Sequence, residues 1–388
     1  MSTQRELRPT PTPQLRPTYV EVDLGRFDHN VDVIARLLPE GARIVAVLKA
    51  DGGGHGAVEL AKRLTLDRVA MIALALIEEA IELRRAGIAL PLLVLGPLSK
   101  EQIGIALDND VAIGVVGPEE LEHVCAVARE RDVSIHLKLD TGMGRMGVVD
   151  SELPRVIEMI RATPRLRLDG IYTHLANADD ATDPFTEMQI SNYDRMLATL
   201  REHGIEAPLH HFANSAATLR GLVRPGDFAR VGLALYGPRR IETAAGVIEP
   251  VLRWRTEIMR LKELPAGHAV GYGTTFHTKR PSRIATLPVG YADGYSRLLS
   301  NNADVLVRGR RAPVVGRVSM DLITIDVTDI PEAVAGDEVV LLGDGITAEE
   351  LGKKSQTISY EVFCRISDRV PRVYRSGGTF RVRSRFAE

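Results

Sequence analysis

Short apolar runs alternate with amphipathic stretches over roughly the first 240 residues of the chain. Eight of the runs have the length and composition of buried strands: 43–48, 69–75, 92–95, 112–116, 134–140, 168–173, 208–213 and 229–235. Helical periodicity occupies stretches between them, such as 77–87, 118–130, 151–163 and 186–203. Parallel strands joined by crossover helices produce this alternation. Eight such units close most naturally into a (β/α)₈ barrel, whereas an open doubly wound sheet would carry fewer strands and a glycine fingerprint.

The pattern changes after about residue 245, where long helical periodicity is nearly absent. Strands separated by Gly, Pro and Asp turns are expected at 250–262, 268–271, 283–290, 304–308, 312–317, 321–327, 338–342 and 379–383, with one short helix around 347–354. The predicted fold class is therefore α/β, with an N-terminal (β/α)₈ TIM-type barrel and a C-terminal, mostly antiparallel β domain. The predicted divisions are a flexible tail at 1–18, the barrel at 19–242 and the β domain at 243–388.

Composition narrows the class of protein. The 388 residues exceed the usual size of a single core, which agrees with two domains. A net charge of -2 gives no electrostatic reason to expect nucleic acid or an anionic membrane as a partner. Two cysteines offer no disulfide framework, so a reducing cytoplasm is the expected compartment. The longest apolar run, 69–77, is too short to span a bilayer, and the first 18 residues lack the apolar segment of a secretory signal.

Polar side chains collect at the carboxyl ends of the predicted barrel strands, where active sites of such barrels form. They are Lys49, Lys138, Asp140, Arg145, His174, His211, Asn214, Ser215 and Arg230. Each has an ordinary explanation when taken alone. A lysine at a strand end is usually solvated, and Asn214 is an adequate helix N-cap whether or not anything binds there. Successive strands that present a basic and polar set at the same edge indicate a functional site more strongly than any one of these residues does.

Two features of this set suggest pyridoxal 5'-phosphate. A phosphate would lie well against a helix beginning near Ser215 and against the backbone of Gly232 and Leu233. A lysine in a water-poor barrel mouth has a lowered amine pKa and can bond covalently to an aldehyde. No His, Asp or Glu set has the spacing of metal ligands, so no metal is expected.

Nine segments make the chain resemble alanine racemase from about residue 17 to 385. They are AVLKADGGGHG (46–56), HLKLDTGMGRMG (136–147), IYTHLANAD (171–179), HFANSAA (211–217), RVGLALYG (230–237), VGYGTTF (270–276), LPVGYADGY (287–295), GRVSMD (316–321) and TISYEV (357–362). The resemblance implies the same two-domain fold and a homodimer in which the β domain of one chain closes the barrel of the other. It also implies a pyridoxal-phosphate enzyme that supplies D-alanine for peptidoglycan.

The resemblance assigns the reacting groups. Lys49 resembles the lysine that holds the cofactor and is the base for the D-enantiomer. Tyr272, between Gly271 and Gly273, resembles the base for the L-enantiomer, donated by the partner subunit. Arg230 resembles the arginine that hydrogen-bonds the pyridine nitrogen and keeps it unprotonated, because arginine is not deprotonated in proteins. Negative charge then stays near Cα, which favours racemisation over transamination.

The remaining assignments also follow from the resemblance. Arg145 and Met320 are expected to hold the substrate carboxylate, and Tyr291 to line the substrate entrance. Further expected contacts are phosphate binding by Ser215, Gly232, Leu233 and Tyr360, and a hydrogen-bond network through His174 and His211, supported by Asn214. Lys138 is expected to be carbamylated and to orient Arg145. A simple pair between Lys138 and Asp140 is the alternative, because the two residues share a strand face.

One position departs from the family. Members usually carry a tyrosine four residues beyond the lysine, and its hydroxyl helps to hold the phosphate, whereas this chain has Gly53. The change predicts weaker cofactor binding or a roomier pocket. It keeps open a broad-specificity or serine racemase of the same family. A basic amino-acid decarboxylase is disfavoured by Arg230 and by the setting of Cys364, and a non-catalytic pyridoxal-phosphate-binding protein would lack the β domain and Tyr272.

Overall fold

The computed structural model describes residues 16–385, so most of the predicted tail lies outside the described part. The chain enters through strand β1 (Tyr19–Asp23) and helix α1 (Leu24–Leu37), neither of which was among the predicted elements. Asp23 ends the strand and caps the helix, because its side chain accepts a hydrogen bond from the Arg26 N–H at 3.0 Å. Because the strand passes directly into the helix, no turn residues separate β1 from α1, and the sequence pattern therefore predicted neither element.

Eight parallel strands and their helices follow. In chain order the elements are β2 (Arg43–Val47), α2 (Lys49–Gly53), α3 (Ala57–Ala61), β3 (Met71–Leu74), α4 (Ile77–Arg85), β4 (Leu92–Val94), α5 (Lys100–Asp108), β5 (Val111–Val115), α6 (Pro118–Val127), β6 (Val133–Lys138), α7 (Leu153–Arg161), β7 (Leu166–Tyr172), α8 (Phe185–Glu202), β8 (Leu209–His211), α9 (Ser215–Leu219), β9 (Phe228–Val231) and α10 (Leu233–Tyr236). Each strand from β2 to β7 pairs with the next, and β9 pairs with β2, so that β8 and β9 are the two edges. The Arg230 N–H donates to the Ala213 carbonyl at 2.9 Å and links the two remaining edges. The (β/α)₈ prediction is confirmed.

The last barrel strand is shorter than the predicted 229–235. It ends at Val231 because Gly232 leaves the extended conformation, at φ -124° and ψ -79°. Leu233 to Tyr236 then form one helical turn, and Gly237 ends that turn with a left-handed φ of 63°. The apolar sequence LALY therefore forms a helical turn and not a strand. Periodicity alone cannot distinguish a strand from a helix in so short an apolar run.

Up to residue 385, the second region is built from strands, two short α-helices and three single 3-10 turns at Tyr272–Thr274, Tyr291–Asp293 and Arg297–Leu299. The strands and α-helices are β10 (Ile241–Thr243), β11 (Gly246–Ile248), β12 (Leu252–Glu257), β13 (Arg260–Leu264), β14 (Ala269–Val270), β15 (Phe276–His277), β16 (Ser282–Leu287), β17 (Asp304–Val307), β18 (Arg310–Pro313), β19 (Ile323–Asp326), β20 (Glu338–Leu342), α11 (Ala348–Lys354), α12 (Ser359–Cys364), β21 (Arg372–Ser376) and β22 (Thr379–Arg383). The predicted strand 250–262 is two strands that belong to different sheets. The mostly antiparallel prediction is confirmed.

Its largest sheet has seven strands in the order β18-β17-β20-β12-β1-β21-β22. The parallel pair β1–β21 is its exception to antiparallel pairing, and it places the N-terminal strand between two late strands. The two regions share one continuous cluster of buried apolar side chains. Among residues 16–385, no helix combines the length and apolar character that a membrane span requires.

Candidate active site

Lys49 follows the first barrel strand and begins a turn, residues 49–56, that we call the Lys49 turn. Its backbone is left-handed at Ala50 (φ 54°), Asp51 (φ 53°), Gly52 (φ 62°) and Gly53 (φ 60°). This conformation is unfavourable for residues with a Cβ, so surrounding contacts must maintain it. One of them comes from Glu79 on α4, whose carboxylate accepts from the Ala50 N–H at 2.6 Å.

Four cationic side chains converge at the barrel mouth, as the sequence predicted: Lys49, Lys138, Arg145 and Arg230. The Lys49 ammonium lies at the open edge, yet partial burial and then the charge of Arg145 lower its pKa. Burial, followed by the charges of Arg145 and Arg230, lowers the pKa of Lys138 to about 8. The mutual repulsion of these groups favours a ligand with negative charge and gives the two lysines an increased neutral fraction near neutral pH.

The Arg230 guanidinium is held by the ends of two neighbouring strands. Its Nη1 donates to the carbonyl oxygen of His211 and, at 2.9 Å, to Nδ1 of the same residue. Its Nη2 donates to the Thr173 carbonyl at 2.5 Å and to His174 Nδ1 at 3.2 Å. Burial lowers the pKa of Arg230 to about 10, so the group stays charged at neutral pH. No acceptor among residues 16–385 occupies its Nε, which leaves one N–H for a ligand.

These contacts fix the protonation of three histidines. Arginine only donates, so Nδ1 of His211 and of His174 accept, and each ring carries its proton on Nε2. His211 Nε2 then donates to His136 Nδ1 at 2.9 Å. Burial and the charge of Arg230 lower the pKa of His174 to about 3, and burial lowers that of His136 to about 4. The rings are therefore neutral and add no positive charge beside Arg230.

An anion cradle is formed by Ser215, Gly232, Leu233, Ala234 and Tyr360. The N–H groups of Gly232 and Ala234 point at Ser215 Oγ, at 3.1 and 3.3 Å. Burial raises the pKa of the Tyr360 hydroxyl, and a hydrogen bond with the Leu233 backbone opposes the rise. Successive backbone N–H groups and hydroxyls aimed at one place suit a phosphate.

Asn214 places Ser215 in this cradle. Its side chain accepts from the Ala217 N–H at 3.0 Å and caps α9, as the sequence predicted. Its amide also donates to the Leu175 carbonyl at 3.2 Å, which connects the cap to the loop that follows β7.

Gly53 lies beside the ring of Tyr236. A Cβ on Gly53 would lie 3.4 Å from Tyr236 Cε2. The buried His55 ring stacks on Tyr236 with centroids 4.6 Å apart, and His55 Nδ1 hydrogen-bonds the Gly53 carbonyl at 3.0 Å. The rings of His55 and Tyr236 therefore pack beside Gly53, the position in the Lys49 turn that has no side chain.

The alternative of a simple pair between Lys138 and Asp140 finds no support in residues 16–385, where no ion pair joins them. The Asp140 carboxylate instead accepts from the N–H groups of Gly142 at 3.0 Å and Gly144 at 3.1 Å. It orders the loop that leads to Arg145. The Lys138 amine keeps a cation–π contact with Tyr172, 5.9 Å from the ring centroid.

Tyr272, Met320 and Tyr291 form a second group, on the surface of the β region. Tyr272 is 72% exposed between Gly271 and Gly273, which have φ of 75° and 68°. The loops of Met320 and Tyr291 are joined by backbone hydrogen bonds, such as that from the Ala292 N–H to the Met320 carbonyl at 3.0 Å. No contact within residues 16–385 joins the Tyr272 hydroxyl to the barrel mouth.

Sequence reasoning missed three side chains of the site. His136 continues the histidine network, and Tyr172 stacks on His211 with centroids 4.8 Å apart. Both were detectable, because His136 alternates with Lys138 and Tyr172 with His174, and alternate strand residues share a face. Glu79 had no comparable pattern, since it lies on a helix far from Ala50 in sequence. In residues 16–385 no three His, Cys, Asp or Glu side chains lie close enough to share a metal ion.

Comparisons with known proteins agree over both regions. The chain matches the models of the alanine racemase N-terminal domain over residues 22–240 and of the alanine racemase C-terminal domain over residues 251–374. It is 41% identical to an alanine racemase of Halothermothrix orenii, over 93% of this chain and 97% of the relative. A solved alanine racemase of Clostridium difficile 630 superposes with a TM-score of 0.89 at 35% identity, over 96% and 99% of the two chains. An alanine racemase of Bacillus anthracis with bound L-Ala-P gives 0.87 at 36% identity, over 96% and 98%.

Proposed function

The chain belongs to the alanine racemase family, and on that premise we propose that it binds pyridoxal 5'-phosphate at the barrel mouth and interconverts L- and D-alanine. The observation that carries the proposal is a lysine of lowered pKa within one opening that also contains the anion cradle and the one unoccupied N–H of Arg230. An aldehyde, a phosphate and a ring nitrogen are the three groups that this donor set fits.

The residues present fit the cofactor. Lys49 would hold its aldehyde carbon, and the anion cradle would hold its phosphate. Arg230 Nε would donate to the ring nitrogen, which can accept only while unprotonated. His211 and His174 prevent the guanidinium from turning away, because each binds one of its terminal nitrogens.

When bound, the cofactor supplies an electron-withdrawing ring that acidifies the Cα–H of an attached amino acid. The rest is proton transfer by this chain. Lys49 Nζ takes the α-proton of the D-enantiomer, and the Tyr272 hydroxyl gives one to the opposite face. For the L-enantiomer the two roles reverse. Burial and the charge of Arg145 lower the pKa of Lys49, which increases the fraction of neutral amine, the form that can act as a base.

Tyr272 would come from a second copy of the chain. Its exposure, with that of Met320 and Tyr291, supports a homodimer in which this face covers the barrel mouth of the partner. Met320 and Arg145 would then hold the substrate carboxylate, and Tyr291 would line the entrance. A Lys138 carbamate would pair with Arg145, and the pKa of about 8 supports it, because only a neutral amine adds carbon dioxide.

We also propose the cytoplasm as the compartment and D-alanine for peptidoglycan as the product's use. The free thiols of Cys125 and Cys364 support a reducing compartment. The division at 242/243 is supported by the limits of the two family matches, although β1 pairs in the sheet of the second region.

The test follows deuterium incorporation at Cα and the chirality of L-alanine, L-serine, L-lysine and L-arginine with added cofactor. Exchange with inversion that is far faster on alanine is the expected result. Comparable inversion of the larger side chains would indicate a broad-specificity racemase whose pocket Gly53 has widened. Release of carbon dioxide, or no exchange, would overturn the proposal. Mass mapping after borohydride reduction should place the cofactor on Lys49 and not on Lys138.

A further inference from the structure

The Lys49 turn has little in its own sequence to hold it. Ala50 and Asp51 are strained by their left-handed backbone, and Gly52, Gly53 and Gly54 can leave that conformation freely. Its backbone is held by a few local hydrogen bonds, from the Gly52 N–H to Leu48 at 2.8 Å, the Gly54 N–H to Ala50 at 2.9 Å, the His55 N–H to Gly52 at 3.3 Å and the Gly56 N–H to Asp51 at 2.8 Å. Within the turn, the His55 ring also hydrogen-bonds the Gly53 carbonyl at 3.0 Å. The position of Lys49 therefore depends on what packs against the turn from outside.

Besides the Glu79 carboxylate, which accepts from the Ala50 N–H, the hairpin β21–β22 of the second region supplies outside contacts to the turn. Arg383 forms a two-pronged ion pair with Asp51, in which Nη1 is 3.1 Å from Oδ1 and Nη2 contacts Oδ2. Asp51 Oδ1 also accepts from the Ala57 N–H at 2.9 Å, so the same carboxylate fixes the end of the turn. Planar arginine–carboxylate pairs restrict orientation as well as distance.

Arg372 holds the other side of the turn. Its Nε donates to the Gly54 carbonyl at 3.3 Å. Its terminal nitrogens donate to the carbonyls of Ile366 and Ser367, each at 2.6 Å, and of Val370 at 2.8 Å. The buried guanidinium thus connects the turn to the loop after α12. A Cβ on Gly54 would lie 2.5 Å from the carbonyl oxygen of Phe363, so the close approach of the turn to α12 requires a glycine at this position.

We propose that Arg383 and Arg372 are positioning residues that hold Lys49 in place, through Asp51 and Gly54 respectively. Neither touches the reacting atoms. The proposal rests on the proposed role of Lys49. It gives the β region two tasks: to hold Lys49 of its own chain in place, and to present Tyr272 to the partner chain. A turn with three consecutive glycines needs this support more than one with a side chain at position 53.

The test compares Arg383→Gln with Arg381→Gln in the holoenzyme. Arg381 lies two residues earlier on the same face of β22 and pairs with Glu59 on α3 at 2.9 Å, outside the Lys49 turn. We expect the amides of Gly52, Gly54 and Gly56 to exchange hydrogen about two- to fivefold faster in Arg383→Gln, the range expected for a partly exposed ion pair. We expect kcat to fall by about the same factor with KM for alanine little changed, since the substrate contacts remain.

Arg381→Gln should leave both readouts at the wild-type level, and Arg383→Lys should restore part of each. Asp51→Asn is the second variant if Arg383→Gln does not fold, because asparagine tolerates left-handed backbone and can still accept from Ala57. Unchanged exchange in Arg383→Gln, or equal acceleration in Arg381→Gln, would overturn the proposal. Amide exchange is independent of chemistry, so a cofactor found on another lysine would remove the proposed function and leave the contact between hairpin and turn standing.

Discussion

The barrel mouth and the exposed group of Tyr272, Met320 and Tyr291 differ in how far the chain alone determines them. Arg230 is 4% exposed, and both of its terminal nitrogens donate to fixed acceptors. Tyr272 is 72% exposed, and its hydroxyl has no partner within residues 16–385. One half of the proposed site is preorganised by folding. The other presents its reacting group on a glycine-flanked loop, where only a second surface can fix it.

The difference separates two kinds of effect that substitutions can have. A change at the barrel mouth breaks buried contacts and therefore alters stability as well as chemistry. A change at Tyr272 removes a hydroxyl that has no hydrogen-bond partner within residues 16–385, so chemistry alone should respond. Predictions that compare the two regions test this separation directly.

The largest effect is expected when the two regions are disabled in different chains. Lys49→Ala and Tyr272→Phe should each reduce kcat by about a thousandfold or more, since each removes one of two bases. Mixing the two variants under conditions that exchange subunits should restore about a quarter of wild-type activity, because half of the dimers are mixed and each carries one complete site. Activity of subunit mixtures against mixing ratio measures this. No recovery would contradict delivery of Tyr272 from the partner.

A substitution of Arg230 should separate stability from chemistry. Arg230→Gln leaves the carbonyls of Thr173 and His211 short of donors, so we expect about 2–4 kcal/mol less free energy of unfolding. Urea unfolding of the variant beside Tyr272→Phe measures the comparison, and the tyrosine variant should unfold like wild type. Equal stability of all three proteins would show that the Arg230 contacts do not order the barrel mouth.

The same contrast explains what the sequence could predict. The barrel strands were detectable because buried parallel strands are continuous apolar runs. Lys49, Arg230 and Ser215 were detectable because strand ends share one edge. β1 escaped, since its partners β12 and β21 lie more than 200 residues later and pairing at that distance leaves no local pattern. Arg383 escaped for the same reason, whereas His136 was within reach of strand alternation.

The roles of the individual site residues stay predictions. The structure gathers the barrel-mouth residues and leaves Tyr272, Met320 and Tyr291 on a separate surface. Residues close together in the sequence indicate which side chains a strand and its following loop bring together. They do not indicate which copy of the chain supplies Tyr272 to the barrel mouth.

Acid should destabilise the barrel side through its buried histidines. Burial lowers the pKa of His55 to about 4, so between pH 6.5 and 4 the folded chain binds fewer protons than the unfolded chain and stability falls as the pH falls. His55 alone should contribute about 2 kcal/mol of this loss by pH 5. His55→Phe, which can pack between Tyr236 and Phe363, should flatten the dependence. Urea unfolding at pH 7 and pH 5 measures it, with the exposed His203→Phe as control. Parallel pH curves for both variants would contradict this role of His55.

The smallest effect concerns Gly53, where the barrel mouth lacks a side chain that the family usually has. The resemblance to the family leads us to expect that the hydroxyl of Gly53→Tyr reaches the anion cradle. The substitution places a residue with a Cβ at a left-handed φ of 60° and brings that Cβ to 3.4 Å from Tyr236. A hydrogen bond to a charged phosphate contributes about 1.5–3 kcal/mol, and ordering the new side chain takes back part of it, so a tightening of cofactor binding by a few-fold is expected. The left-handed strain of about 1–2 kcal/mol lowers the free energy of unfolding with and without cofactor. Dissociation of pyridoxal phosphate followed by its absorbance measures this. Gly87→Tyr is the matched control, because Gly87 has a φ of 81° and nothing within 4 Å of an added Cβ, so it reports the strain alone. Gly53→Tyr could bind the cofactor no better than wild type while losing no more stability than the control. That result would show that the cradle already holds the phosphate fully, and that Gly53 provides space beside Tyr236 without affecting cofactor affinity.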